Sequence, residues 1–270
     1  MKNRAKKTYS LKKTHRIKKR QPIYRSKIFW AIIAAVISLS SAIYLLFFFK
    51  FFWISSIDVL GTQKTSIGDI ARIVDNDANC RFVFFSRSIF LFSAAKTRNK
   101  LKELYPVIEE ITITKKLPNA LAVNIRERSA VALWLNGDNY YQIDGQGIIF
   151  LEADKKDRLV IRQLPAKGPL LNLGERAANK ETMNAIIKID QSLKRDSGLT
   201  AQEAVIENSR ITVVTTGGWD IYFDLENDIT WQLEKLKAVL NKQIPSDLQG
   251  SLEYIDVRFG NLAPYRYRDK

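Results

Sequence analysis

Five carboxylate positions stand where acid or base chemistry could be done: the pair Glu109-Glu110, then Glu127, Asp144 and Asp224. Two of them facing each other across a cleft would serve as general acid and general base. Most fall in strand-like runs, where acids alternating with apolar residues line the solvated face of a sheet. Other reactive groups are scarce. The chain carries one cysteine, Cys80, and one histidine, His15, too few for an intrachain disulfide, a Cys/His zinc site or a Ser-His-Asp or Cys-His pair. The glycines of "DGQG" (144–147) and "TTGG" (215–218) sit between β runs, as hairpin residues do, and no phosphate loop or dinucleotide fingerprint is present. No cofactor or metal is expected, and the composition leaves little room for an enzyme.

The triplet Arg126-Glu127-Arg128 interrupts the apolar rhythm of "TITKKLPNALAVNIRERSAVALWL" (112–135). A chemical site would need its charges gathered in one cleft, whereas a joint between two domains only needs residues that stay wet. The triplet is read as a solvated interdomain hinge.

What must position these residues begins with the charge pattern. The 270 residues include 43 Lys and Arg against 28 Asp and Glu, a net charge of +15. Twelve of the basic residues lie within the first 27 positions and the first acid is Asp58, so the remainder is close to neutral. Residues 1–27 read as a basic tail that cannot bury enough apolar surface to fold alone. The charge-free run "IFWAIIAAVISLSSAIYLLFFF" (28–49) follows. As a helix it rises about 33 Å, enough for the roughly 30 Å hydrocarbon layer. Trp30, Tyr44 and Trp53 suit the interfaces and Lys50 can snorkel, so residues 28–53 are read as a membrane-spanning segment. Basic residues resist translocation, which keeps the tail in the cytoplasm and exports the rest.

Beyond the span, "WISSIDVLG" (53–61) alternates as a strand, and "TSIGDIARIV" (65–74) has a capping-box start at Ser66 and Asp69 with Ile67, Ile70, Ile73 and Val74 on one stripe. A second helix is expected from Ser93 to Tyr105, stopped by Pro106, and two strands turn about Leu117-Pro118-Asn119. The order β-α-α-β-β gives a two-layer α+β domain over 54–126. Residues 127–262 read as mostly β, with helices from Asn179 to Arg195 and after Asp228, and 263–270 as a C-terminal tail. The strand "SLEYIDVRFGN" (251–261) is expected at a sheet edge, where unpaired backbone groups can accept an incoming strand.

The phrases "IxxIDVxG" (54–61) and "KKLPNxLxVxIxER" (115–128) resemble a POTRA domain, and with "SAVALW" (129–134), "YYQIDGQGIIF" (140–150), "LP" (164–165) and "YIDVRFGN" (254–261) the layout resembles the FtsQ/DivIB family of bacterial division proteins. The resemblance implies a single transmembrane helix followed by an α+β POTRA domain and a mostly antiparallel β domain with flanking helices. It implies a non-enzymatic scaffold at the division septum. FtsB/FtsL (DivIC)-like coiled-coil proteins would dock by β-strand addition at Tyr254, Ile255, Asp256, Val257, Arg258, Phe259, Gly260 and Asn261. Other division proteins would meet the POTRA domain. Independently of the resemblance, attraction of the basic tail to anionic lipid accounts for its charge without nucleic acid. Rival readings are a POTRA-bearing translocation or envelope-assembly module, and an anchored carboxylate hydrolase of the cell wall.

Overall fold

The computed structural model describes residues 26–79, 87–154, 157–165 and 170–268. The basic tail up to Arg25, Cys80 and the aromatic stretch up to Ser86, and the last two residues lie outside the described residues. Helix α1, Lys27–Phe48, is long and apolar enough to cross a bilayer, with a mean hydropathy of 2.2 over Lys27–Leu45 and none of that window buried in protein. It ends five residues earlier than the expected span, and a single 3-10 turn, Lys50–Phe52, leads out of it.

The first domain has the expected order: β1 (Ser56–Leu60), α2 (Ile67–Ala78), α3 (Ala94–Leu104), β2 (Ile108–Lys116) and β3 (Ala120–Glu127). Local signals start both helices, since the hydroxyls of Ser66 and Ser93 accept from the backbone N–H of Asp69 and Lys96. Strand β3 lies in the centre, parallel to β1 and antiparallel to β2. Ile70, Val74 and Leu101 of the helices pack on Ile111, Leu121, Val123 and Ile125 of the sheet. Ile67, expected on the buried stripe, is more than half exposed at the start of α2. At the end of β1, Gly61 takes a positive φ of 91° and its Cα lies against the Ile125 carbonyl, leaving no room for a side chain.

In the second domain one nine-stranded sheet has the order β12-β11-β10-β9-β8-β7-β4-β5-β6. The strands are β4 (Ala132–Asn136), β5 (Asn139–Ile143), β6 (Ile149–Ala153), β7 (Val160–Leu164), β8 (Ala201–Glu207), β9 (Arg210–Thr215), β10 (Asp220–Asp224), β11 (Leu252–Asp256) and β12 (Tyr265–Tyr267). Five of its eight pairings are antiparallel. The parallel pairs β7–β8 and β10–β11 are joined through α4 (Lys180–Asp196) and α5 (Ile229–Lys242), because parallel neighbours need a long crossover and a helix supplies it. Ile211, Val213, Ile221 and Phe223 of the sheet meet Met183, Ile186, Leu233 and Leu236 of these helices, with Trp219 enclosed beside them.

Candidate partner-docking face and interdomain joint

Strand β11 is not the edge that the sequence suggested. It pairs with β10 on one side and with β12 on the other, so the edge at this end of the sheet is β12, inside the stretch read as a tail. This re-sorts the eight expected docking residues. Ile255, Asp256 and Val257 are buried, and the Val257 N–H is bonded to the Tyr222 carbonyl at 3.1 Å. They hold the face together and offer nothing to touch. Tyr254 is half-buried and stacks on Tyr222 with ring centroids 5.3 Å apart. Arg258 grips Asp256 through Nε and Nη2, at 2.9 and 2.6 Å, beside the Tyr222 ring. The alternation expected through Phe259 ends with β11 at Asp256, and Phe259, Gly260 and Asn261 form an exposed loop.

That loop is fastened by a residue the sequence reading passed over. Lys235 of α5 is only 8% exposed, and its Nζ donates to the carbonyls of Val257, Phe259 and Gly260 at 2.5, 3.3 and 2.8 Å. Burial pushes its ammonium below the ordinary lysine value, with Asp256 opposing the shift. The indole N–H of Trp231 donates to the Gly260 carbonyl at 3.3 Å. Nothing in "WQLEKLK" (231–237) marks Lys235, because its partners lie more than twenty residues on. The fastened loop places Trp231, Phe259, Leu262 and Tyr265, all exposed, around the end of the sheet. A groove of about 550 Å³ runs between α5 and residues 259–265.

The backbone of β12 has a definite polarity. The Pro264 carbonyl accepts from Asp256 N–H of β11, and the Arg268 N–H donates to the carbonyl of Ser251, just before β11. In a trans peptide the carbonyl and the next N–H point in opposite directions, so Tyr265 N–H and Tyr267 carbonyl face the open side.

The joint at the other end of the sheet is drier than expected. Arg126 is exposed and pairs with Glu109 and Glu110 at 3.3 and 3.0 Å. Arg128 is largely buried, however, and donates to Asp144 at 2.5 Å and to the Pro106 carbonyl at 3.0 Å. Asp144, expected on a wet face, is 5% exposed and also accepts from the backbone N–H groups of Gln146 and Ile148. Glu127 accepts from the N–H groups of Lys64 and Thr65 at about 3 Å. Above these contacts Phe150 of β6 is buried in the core of the first domain, with Lys64 Nζ 5.0 Å from its ring centroid. No strand-pattern signal distinguishes Phe150 from its neighbours, and the second domain inserts it where an isolated first domain would have a hole.

A family model of the FtsQ-type POTRA domain matches residues 52–128, and one of the C-terminal part of the cell division protein FtsQ/DivIB matches residues 132–258. The chain belongs to the FtsQ/DivIB family. Among similar curated proteins, the cell division protein FtsQ of Koribacter versatilis is 28% identical over 145 residues, covering 52% of this chain and 37% of that protein. The cell division protein DivIB of Brevibacillus brevis is 25% identical over 166 residues, covering 59% and 58%, and DivIB of Clostridium acetobutylicum is 24% identical over 182 residues, covering 66% and 71%. The matches thus span less than two thirds of the first two relatives' own length. The FtsQ-type POTRA match ends on Arg128, the residue that anchors the joint, and the FtsQ/DivIB match ends on Arg258, before β12.

The Glu127 contacts give this FtsQ/DivIB joint a pH dependence. Burial raises the carboxyl, but the N–H groups of Lys64, Gln63 and Thr65 outweigh it and hold the group below the ordinary glutamate value. A lowered folded-state value favours the ionised form in the native state. Its contribution is therefore complete above the unfolded value and lost as pH falls through the folded one. Glu127→Gln should lower the melting temperature of the full chain in detergent at neutral pH, and the gap to wild type should close in acid. A gap that stays constant with pH would show that the charge is irrelevant there.

Proposed function

We propose that the protein is a non-enzymatic, single-pass membrane scaffold of the bacterial division machinery, with its basic tail in the cytoplasm and both folded domains outside, acting at the septum. It recruits FtsB/FtsL (DivIC)-like coiled-coil proteins by β-strand addition at the end of the second domain. The observation that carries this reading is the open edge of β12 beside exposed Trp231, Phe259, Leu262 and Tyr265. An added strand takes affinity from backbone bonds and specificity from alternate side chains. Of the residues first nominated, Phe259, Gly260 and Asn261 line the rim of this site, with Tyr254 and Arg258 set behind them and Ile255, Asp256 and Val257 as the support. Other division proteins would meet the POTRA domain, where β1 and β2 are the two sheet edges. The joint at Arg126, Glu127 and Arg128 fixes the angle between the two docking regions.

The test exploits the direction of the Tyr265 N–H. Tyr265→Pro removes a donor aimed at the incoming strand while the Pro264 carbonyl keeps its bond to Asp256. Full-length chain carrying this change should bind an FtsB/FtsL-type partner at least about tenfold more weakly, which is about 1.4 kcal/mol. Tyr265→Ala, which loses the ring and keeps the donor, should bind measurably better than the proline variant. Equal binding by wild type and the proline variant would remove β12 from the interface. Proline at Val257 is no substitute for this test, because that N–H supports the native sheet.

A further inference from the structure

Three segments far apart in sequence meet where the first domain leaves α1. Only residues 49–51 separate the end of α1 from residues bonded into the domain, since Phe52 carbonyl accepts from Ile89 N–H and Ile54 N–H donates to Arg87 carbonyl, both at 3.0 Å. The hairpin tip is drawn to the same end, where Ser55 N–H donates to the Asn119 carbonyl at 2.9 Å. Lys115 Nζ reaches the Phe90 carbonyl at 3.4 Å and ties the tip to the 87–91 segment. At this end Phe51 is 56%, Phe90 39% and Leu117 65% exposed. Lys50, Lys115 and Lys116, also exposed, stand among them.

Exposed apolar tips rimmed by lysines match the chemistry of a bilayer interface, which accepts aromatic rings at headgroup depth and attracts ammonium groups to phosphate. The short connection leaves the domain no room to stand clear of the membrane that α1 crosses, because three residues reach at most about 10 Å even when extended. We propose that the POTRA domain sits directly on the lipid surface, with Phe51, Phe90 and Leu117 in the interfacial layer and Lys50, Lys115 and Lys116 against lipid phosphates. The occupant of this end is lipid, by continuity with the span. The seat fixes the orientation of the domain and, through the rigid joint, the height of the β12 edge above the membrane. The inference rests on α1 being a membrane span.

Spin-label accessibility tests it on the full chain in nanodiscs of phosphatidylcholine and phosphatidylglycerol. On a Cys80→Ser background, single labels are placed by Phe90→Cys, Leu117→Cys, Leu104→Cys at the far end of the domain, and Ile37→Cys inside α1. The ratio of oxygen to nickel-chelate collision rates should be several-fold higher at 90 and 117 than at 104, approaching that at 37. Ratios at 90 and 117 equal to that at 104 would overturn the seat while leaving the span intact. Protection of both sites from both reagents would mean that protein covers this end, and would overturn it too. A water-like ratio at 37 would overturn the span and the seat together. Leu117→Cys lies on an exposed turn, so the test does not depend on Phe90→Cys folding.

Discussion

Phe150→Ala is expected to destabilise the first domain more than the second, although Phe150 belongs to the second. It is 1% exposed and belongs to the same buried cluster as Val59, Ile70, Ile108 and Ile125 of the POTRA core. Removing a buried phenylalanine costs about 3–5 kcal/mol, and a site that cannot collapse lies at the high end. Collapse is difficult here, because β6 is held by β5 and by the Arg128–Asp144 pair. The Lys64 ammonium would also lose its contact with the ring. Amide exchange in β2 and β3 should accelerate by several orders of magnitude in the full chain, while exchange in β9 and β10 changes far less. Phe150→Leu should restore most of the protection. Unchanged exchange at Ile111 and Val123 would mean that the domains are independent and that the joint is a hinge after all.

Lys235→Met should cost about 2–3 kcal/mol, because three carbonyls lose a charged donor, that of Val257 in a buried bond. Methionine nearly preserves the volume, so the effect isolates the ammonium. The expected local consequence is release of residues 257–262, read as faster amide exchange there, and with it weaker binding of an FtsB/FtsL-type partner by at least about tenfold. Lys237→Met on the same helix is the control, since that side chain is half exposed and only pairs with Asp196. It should leave both readouts nearly unchanged. Equal losses at the two positions would sink the idea that Lys235 fastens the docking loop.

The consequences for architecture are linked. A seat at the membrane, a locked joint and a fastened loop would make the two folded domains a strut of fixed reach, with β12 open at its end. Each of the three contacts joins segments at least sixteen residues apart, so each is vulnerable to a single substitution that leaves the secondary structure intact.

Much of this was legible in the linear chain because it is local. A charge-free run of helical length, the cap residues Ser66, Asn179 and Asp228, and the alternation in 111–125 and 211–223 each act through neighbours within a few residues. They set which elements form and which face of each is apolar. The family followed from phrases around the turns. Alternation assigns a face but not a neighbour, however. That β7 pairs in parallel with β4 and β8, that β12 rather than β11 ends the sheet, that Lys235 is enclosed and that Phe150 enters the other domain's core are outcomes of long-range pairing. A lysine reads as solvated until three distant carbonyls surround it, and an aspartate such as Asp144 reads as a wet turn residue until Arg128 arrives from another domain. The sequence by itself determined the pieces and their order, through short-range sterics and apolar periodicity. Only the tertiary structure decided which edge was left open and which charges were buried, because both depend on what the rest of the chain brings alongside.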